Sequence, residues 1–179
     1  MNCYGSKDLA RAYRTVRDNT LKIAEEIPES KYDFSPAPGV RTVRQLLTHI
    51  ALTDSFSGVH KEKRTNFDGV NFPALVGQMQ AEESKPRTKA EVIALLRDRG
   101  AETIAWLESL SDDFLAEPFT QPRGEPKTKS RFEMIMSMKE HEMHHRGQLM
   151  LVERMLGIVP HLTRDMQARF AAAAQPARA

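Results

Sequence analysis

The chain has 179 residues, with 26 Lys and Arg against 24 Asp and Glu for a formal net charge of +2. That length suits one domain able to bury most of its apolar surface, and the interspersed, nearly balanced charges leave no footprint for a nucleic-acid partner. A single cysteine, Cys3, excludes an internal disulfide and a cysteine-rich zinc module and fits a reducing compartment. The N-terminal MNCYGSKDLARAYR carries no apolar run of signal-peptide length and no stretch is apolar enough to span a bilayer, so the expectation is a soluble, cytoplasmic protein with no membrane partner.

Prolines cluster at 28, 36 and 38, at 73 and 86, at 118, 122 and 126, and at 160, leaving four long windows without one. Helices belong in those windows, because a helix interior tolerates proline badly. The first is expected from about Lys7 to Ile27, with Leu9, Tyr13, Val16, Thr20, Ile23 and Ile27 at three- and four-residue steps, and stops at Pro28. The second opens on the capping box Thr42 with Gln45 and runs toward about Lys63. A connection from Asn66 to Ser84 follows, with a helical turn of its own around Ala74 to Gln80. Thr88 with Glu91 opens the third helix, which ends near Leu110 and carries Trp106 as a core anchor. The segment Pro118 to Lys129 reads as a polar, exposed loop. Ser130 with Glu133 opens the fourth helix, which ends at Leu156 before Gly157. No stretch alternates with a two-residue period, so the fold class is all-α, a four-helix bundle with a long connection between helices 2 and 3. Residues 1–165 form the domain, and 166–179, with the closing AAAAQPARA, form a tail that frays or extends a terminal helix.

Within the fourth helix lies HEMHHRGQLM, His141 to Met150. A step of four residues turns a helix by about 400°, so His141 and His145 differ by about 40° in direction and by about 6 Å along the axis. That spacing suits one metal ion. Met134, Met138, His141, His145, Val152 and Met155 share a stripe, which turns the pair inward. On the second helix Leu46, His49, Ile50, Thr53 and Phe56 form a similar stripe, making His49 the natural third ligand. Spacing alone leaves alternatives open: a pair from His141 and His144, or inward histidines satisfied by protein groups. His60 and His161 read as ordinary histidines. A bound cation would satisfy three inward lone pairs at once, whereas crowded imidazoles without one cost free energy.

HHRGQLMLVERMLG, together with RQLLTHIA, resembles the signature of the DinB/YfiT-like family, from the first helix to about Pro160. The resemblance implies a four-helix bundle with a divalent metal on His49, His141 and His145, and a homodimer with helices side by side. Gly147, costing about 1 kcal/mol against alanine inside a helix, points to a close approach within the bundle or across such an interface, or to simple tolerance. Arg146 is expected in a surface salt bridge and Gln148 in support of the ligands or of the helix, and the methionines as adaptable filler. Glu142, about 100° from His141, is expected in solvent.

Three neutral imidazoles leave a cation its full charge and an open position, suited either to lowering the pKa of water or to holding a thiolate. Zinc or nickel suit imidazole best, with manganese or iron next. Because the resembled family includes enzymes that use low-molecular-weight thiols, the expected function is a metal-dependent thiol S-transferase acting on a small electrophile or stress metabolite. A metal-dependent hydrolase and a non-enzymatic, stress-related metal-binding bundle are the alternatives. His141 to His145 reads HEMHH, which has the letters of HExxH, but Glu142, about 100° from His141, is expected in solvent rather than beside the ion, which disfavours a zincin-type protease.

Overall fold

Helix starts are set by local sequence, while helix ends and the path between helices are set by what the chain packs against. The computed structural model of the chain describes residues 4–53 and 57–174; Cys3 and Phe56 lie outside them. The elements are α1 (Ser6–Glu26), α2 (Val43–Leu52), α3 (Gly58–Lys61), α4 (Phe72–Glu83), α5 (Lys89–Glu108), α6 (Asp112–Ala116), β1 (Pro118–Thr120), β2 (Thr128–Ser130), α7 (Arg131–Met155) and α8 (His161–Ala173). α1 ends as Ile27, the residue before Pro28, turns extended. All three capping boxes form: Thr42 with Gln45, Thr88 with Glu91 and Ser130 with Glu133. At the other end of α7, Gly157 sits at φ +78, and the amides of Gly157 and Ile158 return to the carbonyls of Arg154 and Glu153. This is the Schellman closure that a glycine permits. α8 carries the chain on through Ala173, so the alanines continue a terminal helix.

The second helix is shorter than its periodicity predicts, ending at Leu52 rather than near Lys63. Beyond it the chain is shaped by a distant residue, Arg131, which is fully buried at the start of α7. Arg131 donates to the carbonyls of Arg64 and Lys63 at 2.5 and 3.2 Å and reaches Nδ1 of His60 at 3.4 Å. Those carbonyls are therefore spent on a guanidinium instead of on a helix ladder, and Lys63 adopts φ +57, which no helix interior allows. The Pro118–Lys129 segment also differs from expectation. β1 and β2 pair antiparallel, Phe119 opposite Lys129, and Thr120 donates to the Thr65 carbonyl at 2.8 Å. Phe119 is fully buried against the rings of Phe67 and His60, and that burial holds down a ribbon its polar composition does not suggest. The connection before α5 likewise carries a full helix, α4, instead of a single turn; Asn71 caps it and Pro73 stands in its first turn, where a missing N–H costs nothing.

α1, α2, α5 and α7 form the four-helix bundle. α1 packs on α5 and α7, and α2 packs on the same two, so the first two bundle helices face each other diagonally. Two apolar clusters fill the interior. One gathers Ile23, Ile27, Leu47, Ile50, Leu96 and Leu149, the other Leu9, Tyr13, Ile104, Leu107, Ile135 and Met138. Between them along α1, α5 and α7 lies a polar layer. Arg17 is 2% exposed and Glu142 is 1% exposed; Arg17 Nη2 and Nε meet the Glu142 carboxylate at 2.9 and 3.0 Å. The same guanidinium donates to the Leu96 carbonyl on α5 at 2.6 Å, to the Tyr13 hydroxyl at 2.7 Å and to the Ile50 carbonyl on α2 at 3.4 Å. Glu142 is therefore a core residue, not a solvated one. The buried face of α7 is Ile135, Met138, Glu142, His145, Leu149 and Val152, rotated from the expected stripe, so that Met155 is 52% exposed.

Trp106 is half-buried at the edge of the second cluster, with the Lys61 ammonium 5.3 Å from its ring centroid. Gly147 is not a close-approach glycine within the chain, since an added Cβ there meets nothing within 4 Å. Gly100 is one: an added Cβ would lie 2.9 Å from Arg17 Cγ. Arg17 cannot yield without breaking its bonds, so Gly100→Ala is expected to destabilise the fold by about 1–3 kcal/mol through overpacking, although alanine is the better helix former by about 1 kcal/mol. Chemical denaturation of the two proteins measures this, and a Gly100→Ala variant as stable as the parent would show that the polar layer is not tightly packed.

Candidate metal centre

His49 comes from the last turn of α2, and His141 and His145 from adjacent turns of α7. His49 flanks a buried seam of Leu46, Ile50 and Ala51 on α2, and His141 flanks the seam of Met138, Glu142 and Leu149 on α7, on which His145 itself lies. The helices pack against each other, so the three rings meet at the edge of the core. His145 is 8% exposed and the His49 side chain 12%.

The ring nitrogens converge. Nε2 of His141 lies 3.3 Å from Nε2 of His49 and 3.1 Å from Nε2 of His145, and the three residues offer ligand atoms all within 4.8 Å of one another. A tetrahedral ion with metal–nitrogen bonds of about 2.0–2.1 Å holds its ligand nitrogens about 3.3–3.4 Å apart, so the spacing fits a single cation. Among the described residues this is the one group of histidine, cysteine or acidic side chains so arranged. His144, exposed on the neighbouring face, stays outside it and pairs with the Gln148 amide at 3.2 Å. His60 is held by Arg131, and His161 by Asn19 at 3.0 Å.

The far side of each ring fixes its tautomer. His49 Nδ1 stands 2.7 Å from Glu83 Oε1, an acceptor, and therefore donates to it. His145 Nδ1 stands 2.8 Å from Gln148 Oε1, the amide oxygen, because the amide nitrogen faces His144. Thr53 spends its hydroxyl proton on the His49 carbonyl at 3.0 Å, so its oxygen accepts from His141 Nδ1 at 3.3 Å. With every proton on Nδ1, three Nε2 lone pairs face one another without a proton between them. That arrangement is repulsive alone and is what a cation satisfies.

Burial keeps the rings neutral. It lowers the pKa of His141 to about 4, with His145 and His49 adding to the effect. It lowers His49 as well, against the opposing effect of the hydrogen bond that His49 donates to Glu83, and lowers His145 against that of the bond it donates to Gln148. The rings are thus ligands without first losing a proton.

Sequence reasoning missed Glu83. It lies at the end of α4, in a segment that carries no motif, and it is 6% exposed. Its carboxylate bridges His49 and Arg41, whose Nε lies 2.6 Å from Oε2. A glutamate ending a helical connection is too common a feature to single out; only the packing of α4 on α2 brings it to the site. Gln148, one of the residues expected to support the ligands, does so, while Arg146 forms no ion pair among the described residues and has a buried Nε without a partner.

A groove of about 820 Å3 borders the centre, touching His145, Gln148 and Glu83. Its volume is that of a small-molecule site. Nitrogen-detected NMR of the metal-free protein at pH 7 is expected to show the Nδ1–H tautomer for His49, His141 and His145. An Nε2–H signal on any of them would mean that the ring's outer hydrogen bond runs the other way and that its lone pair is not offered inward.

The fold is shared with known proteins. The DinB superfamily sequence model matches residues 12–149. The uncharacterised protein YjoA of Bacillus subtilis is 24% identical over 153 residues, covering 85% of this chain and 91% of YjoA; its crystal structure superposes with a TM-score of 0.60 at 22% identity, covering 83% of this chain and 92% of that one. YfiT, also from Bacillus subtilis and described as a probable metal-dependent hydrolase with an unusual four-helix bundle topology, gives a TM-score of 0.65 at 18% identity, covering 86% of this chain and 88% of its own. The colibactin self-resistance protein ClbS, solved with double-stranded DNA, gives 0.62 at 15% identity over 86% of this chain and 98% of that one. The structural likenesses, at these identities, speak for the fold, and the match over residues 12–149 places the chain in the DinB superfamily.

Proposed function

We propose that the protein is a divalent-metal-dependent enzyme in which His49, His141 and His145 hold the ion, and that it joins a low-molecular-weight thiol to a small electrophile, such as a metabolite formed under stress. The observation that carries this reading is the convergence of three Nε2 atoms whose Nδ1 partners are all acceptors. When bound, a divalent cation supplies Lewis acidity, making a thiol or a water at its open position a nucleophile near neutral pH. The chain's own residues prepare that position. Three neutral imidazoles leave the ionic charge undiminished, Glu83, Gln148 and Thr53 hold the rings in direction, and the groove beside His145 admits a small molecule.

Zinc or nickel come before manganese or iron, because imidazole suits the first two and the nitrogen spacing suits short bonds. An enzyme is favoured over a purely structural ion because no fourth histidine, cysteine or acidic ligand joins the group among the described residues, and structural sites are closed. Hydrolysis is the second reading, favoured by the description of YfiT. A small-molecule partner is favoured over DNA, despite ClbS, by a net charge of only +2 with signs interspersed. Among the described residues no helix is long and apolar enough to cross a membrane. The single cysteine suits work in the reducing cytoplasm.

Elemental analysis of the purified protein is expected to find about one divalent ion per chain, and Glu83→Ala to weaken its retention by about 10–100-fold through loss of ligand orientation. His49→Ala and His145→Ala should lose it; equal metal content in these and the parent would remove the proposal. Thiol conjugation assayed beside ester and amide turnover, before and after chelation, then separates transferase from hydrolase, and activity unaffected by chelation would sink both. Pairing of two copies, the arrangement the family resemblance implies, finds support in apolar residues left uncovered on α8, Met166 at 51% and Phe170 at 68% exposure. Light scattering should give twice the chain mass, and Phe170→Glu should halve it; a monomeric parent protein would end that reading.

A further inference from the structure

The groove beside His145 is lined from three directions: the approach to α2, the end of α4 and the last turns of α7. Its apolar lining includes Leu46 and Val152, which are buried, and two rim residues left open, Val40 at 48% and Leu151 at 60% exposure. Against this stands one ion pair, Arg41 with Glu83, and its two members are unequally placed. The Glu83 side chain is 7% exposed and the Arg41 side chain 39%. The carboxylate is tucked behind and saturated, with Oε1 on His49 and Oε2 on Arg41. The guanidinium faces Glu83 through Nε and Nη2, and its Nη1 donors have no protein acceptor among the described residues. The charge the groove presents to a ligand is therefore positive. It also stands close to the metal-binding rings, since the Glu83 carboxylate holds Arg41 at 2.6 Å and His49 Nδ1 at 2.7 Å.

We propose that this groove binds an amphipathic anion, its carboxylate on the Arg41 guanidinium and its apolar body along Val40, Leu46, Leu151 and Val152, so that the ligand lies beside His145. A carboxylate matches the fork of donors that a guanidinium offers, and an aliphatic or aromatic body matches a groove whose rim exposes valine and leucine. This names the substrate class of the proposed metal site and rests on that reading for reactivity, while binding itself is read without the metal.

Isothermal titration of the full chain with octanoate, octanol and octylamine, zinc-loaded and metal-free, tests it. Octanoate is expected to bind at least about tenfold more tightly than octanol in both forms. Arg41→Gln should bring octanoate down to octanol, Arg41→Lys should keep a preference for the anion, and Leu151→Ser should weaken octanoate and octanol together by about two- to fivefold. Equal affinity for octanoate and octanol, tighter binding of octylamine, or an octanoate affinity unchanged by Arg41→Gln overturns the proposal. Octanoate binding confined to the zinc-loaded protein overturns it too, because the carboxylate then sits on the ion. The metal reading fails separately: a parent protein that retains no zinc on dialysis, yet prefers octanoate, loses the metal site and keeps the groove.

Discussion

The contact on which the structure turns is the buried ion pair of Arg17 with Glu142. It divides the core into two apolar halves and joins all four bundle helices, since one guanidinium reaches the Glu142 carboxylate on α7, a carbonyl on α5, a hydroxyl on its own α1 and a carbonyl on α2. Taking two charges out of water costs several kcal/mol per ion, and the return depends on the remaining hydrogen-bonding groups being satisfied, as they are here. Such a layer adds less stability than well-packed leucine would. What it adds is register. Glu142 adjoins His141 in sequence and Ile50 adjoins His49, so the residue that binds both Glu142 and the Ile50 carbonyl sets α2 and α7 at one height. Sliding α7 by a turn would leave a buried charge unpaired, at about 3–5 kcal/mol, sliding α2 would take the Ile50 carbonyl from the guanidinium, and either shift would part the histidines.

Around the triad the same logic works at shorter range. Three inward imidazoles would be free to rotate or exchange tautomers in an apolar pocket, but each has an acceptor at its outer nitrogen, and the acceptors come from three places: α4, α7 and the end of α2. Glu83 does most here, because it is itself anchored by Arg41. Its carboxylate holds His49 in direction while its charge is balanced, so the ring stays neutral and directed. Arg41 in turn sits on the groove wall, which makes the binding surface and the ligand-orienting network one continuous set of contacts.

The long connections exist to supply these groups. Because α1 and α2 are diagonal in the bundle, the chain crosses its end between them; the connection from α2 to α5 then carries α4 with Glu83, and the one from α5 to α7 carries the β ribbon with Phe119. Arg131 at the head of α7 gathers the carbonyls of Lys63 and Arg64 and contacts Glu117 at 2.8 Å. One buried cation thereby ties both connections to the helix that bears His141 and His145.

Much of this was legible in the residues. Proline positions and three capping boxes placed the bundle helices, because a cap is a contact between residues three apart and needs nothing distant. The four-residue step from His141 to His145, with His49 on an apolar stripe, named the three rings the structure brings together. Glu142 was misread because one stripe was drawn through the histidines, whereas Ile135, Met138, Glu142, His145, Leu149 and Val152 alternate three and four just as well; a carboxylate on that seam signals a buried partner, but not which arginine, since Arg17 lies 125 positions away. The end of α2, the ribbon around Phe119, the seat of Glu83 and the groove along Arg41 had no signal in the sequence. Sequence by itself determined where the bundle helices start and which histidines face inward, features that rest on neighbours within a turn of helix. Tertiary structure alone decided which charges are buried together and which acceptor holds each ring, because those contacts join segments whose approach is fixed only when the whole core closes.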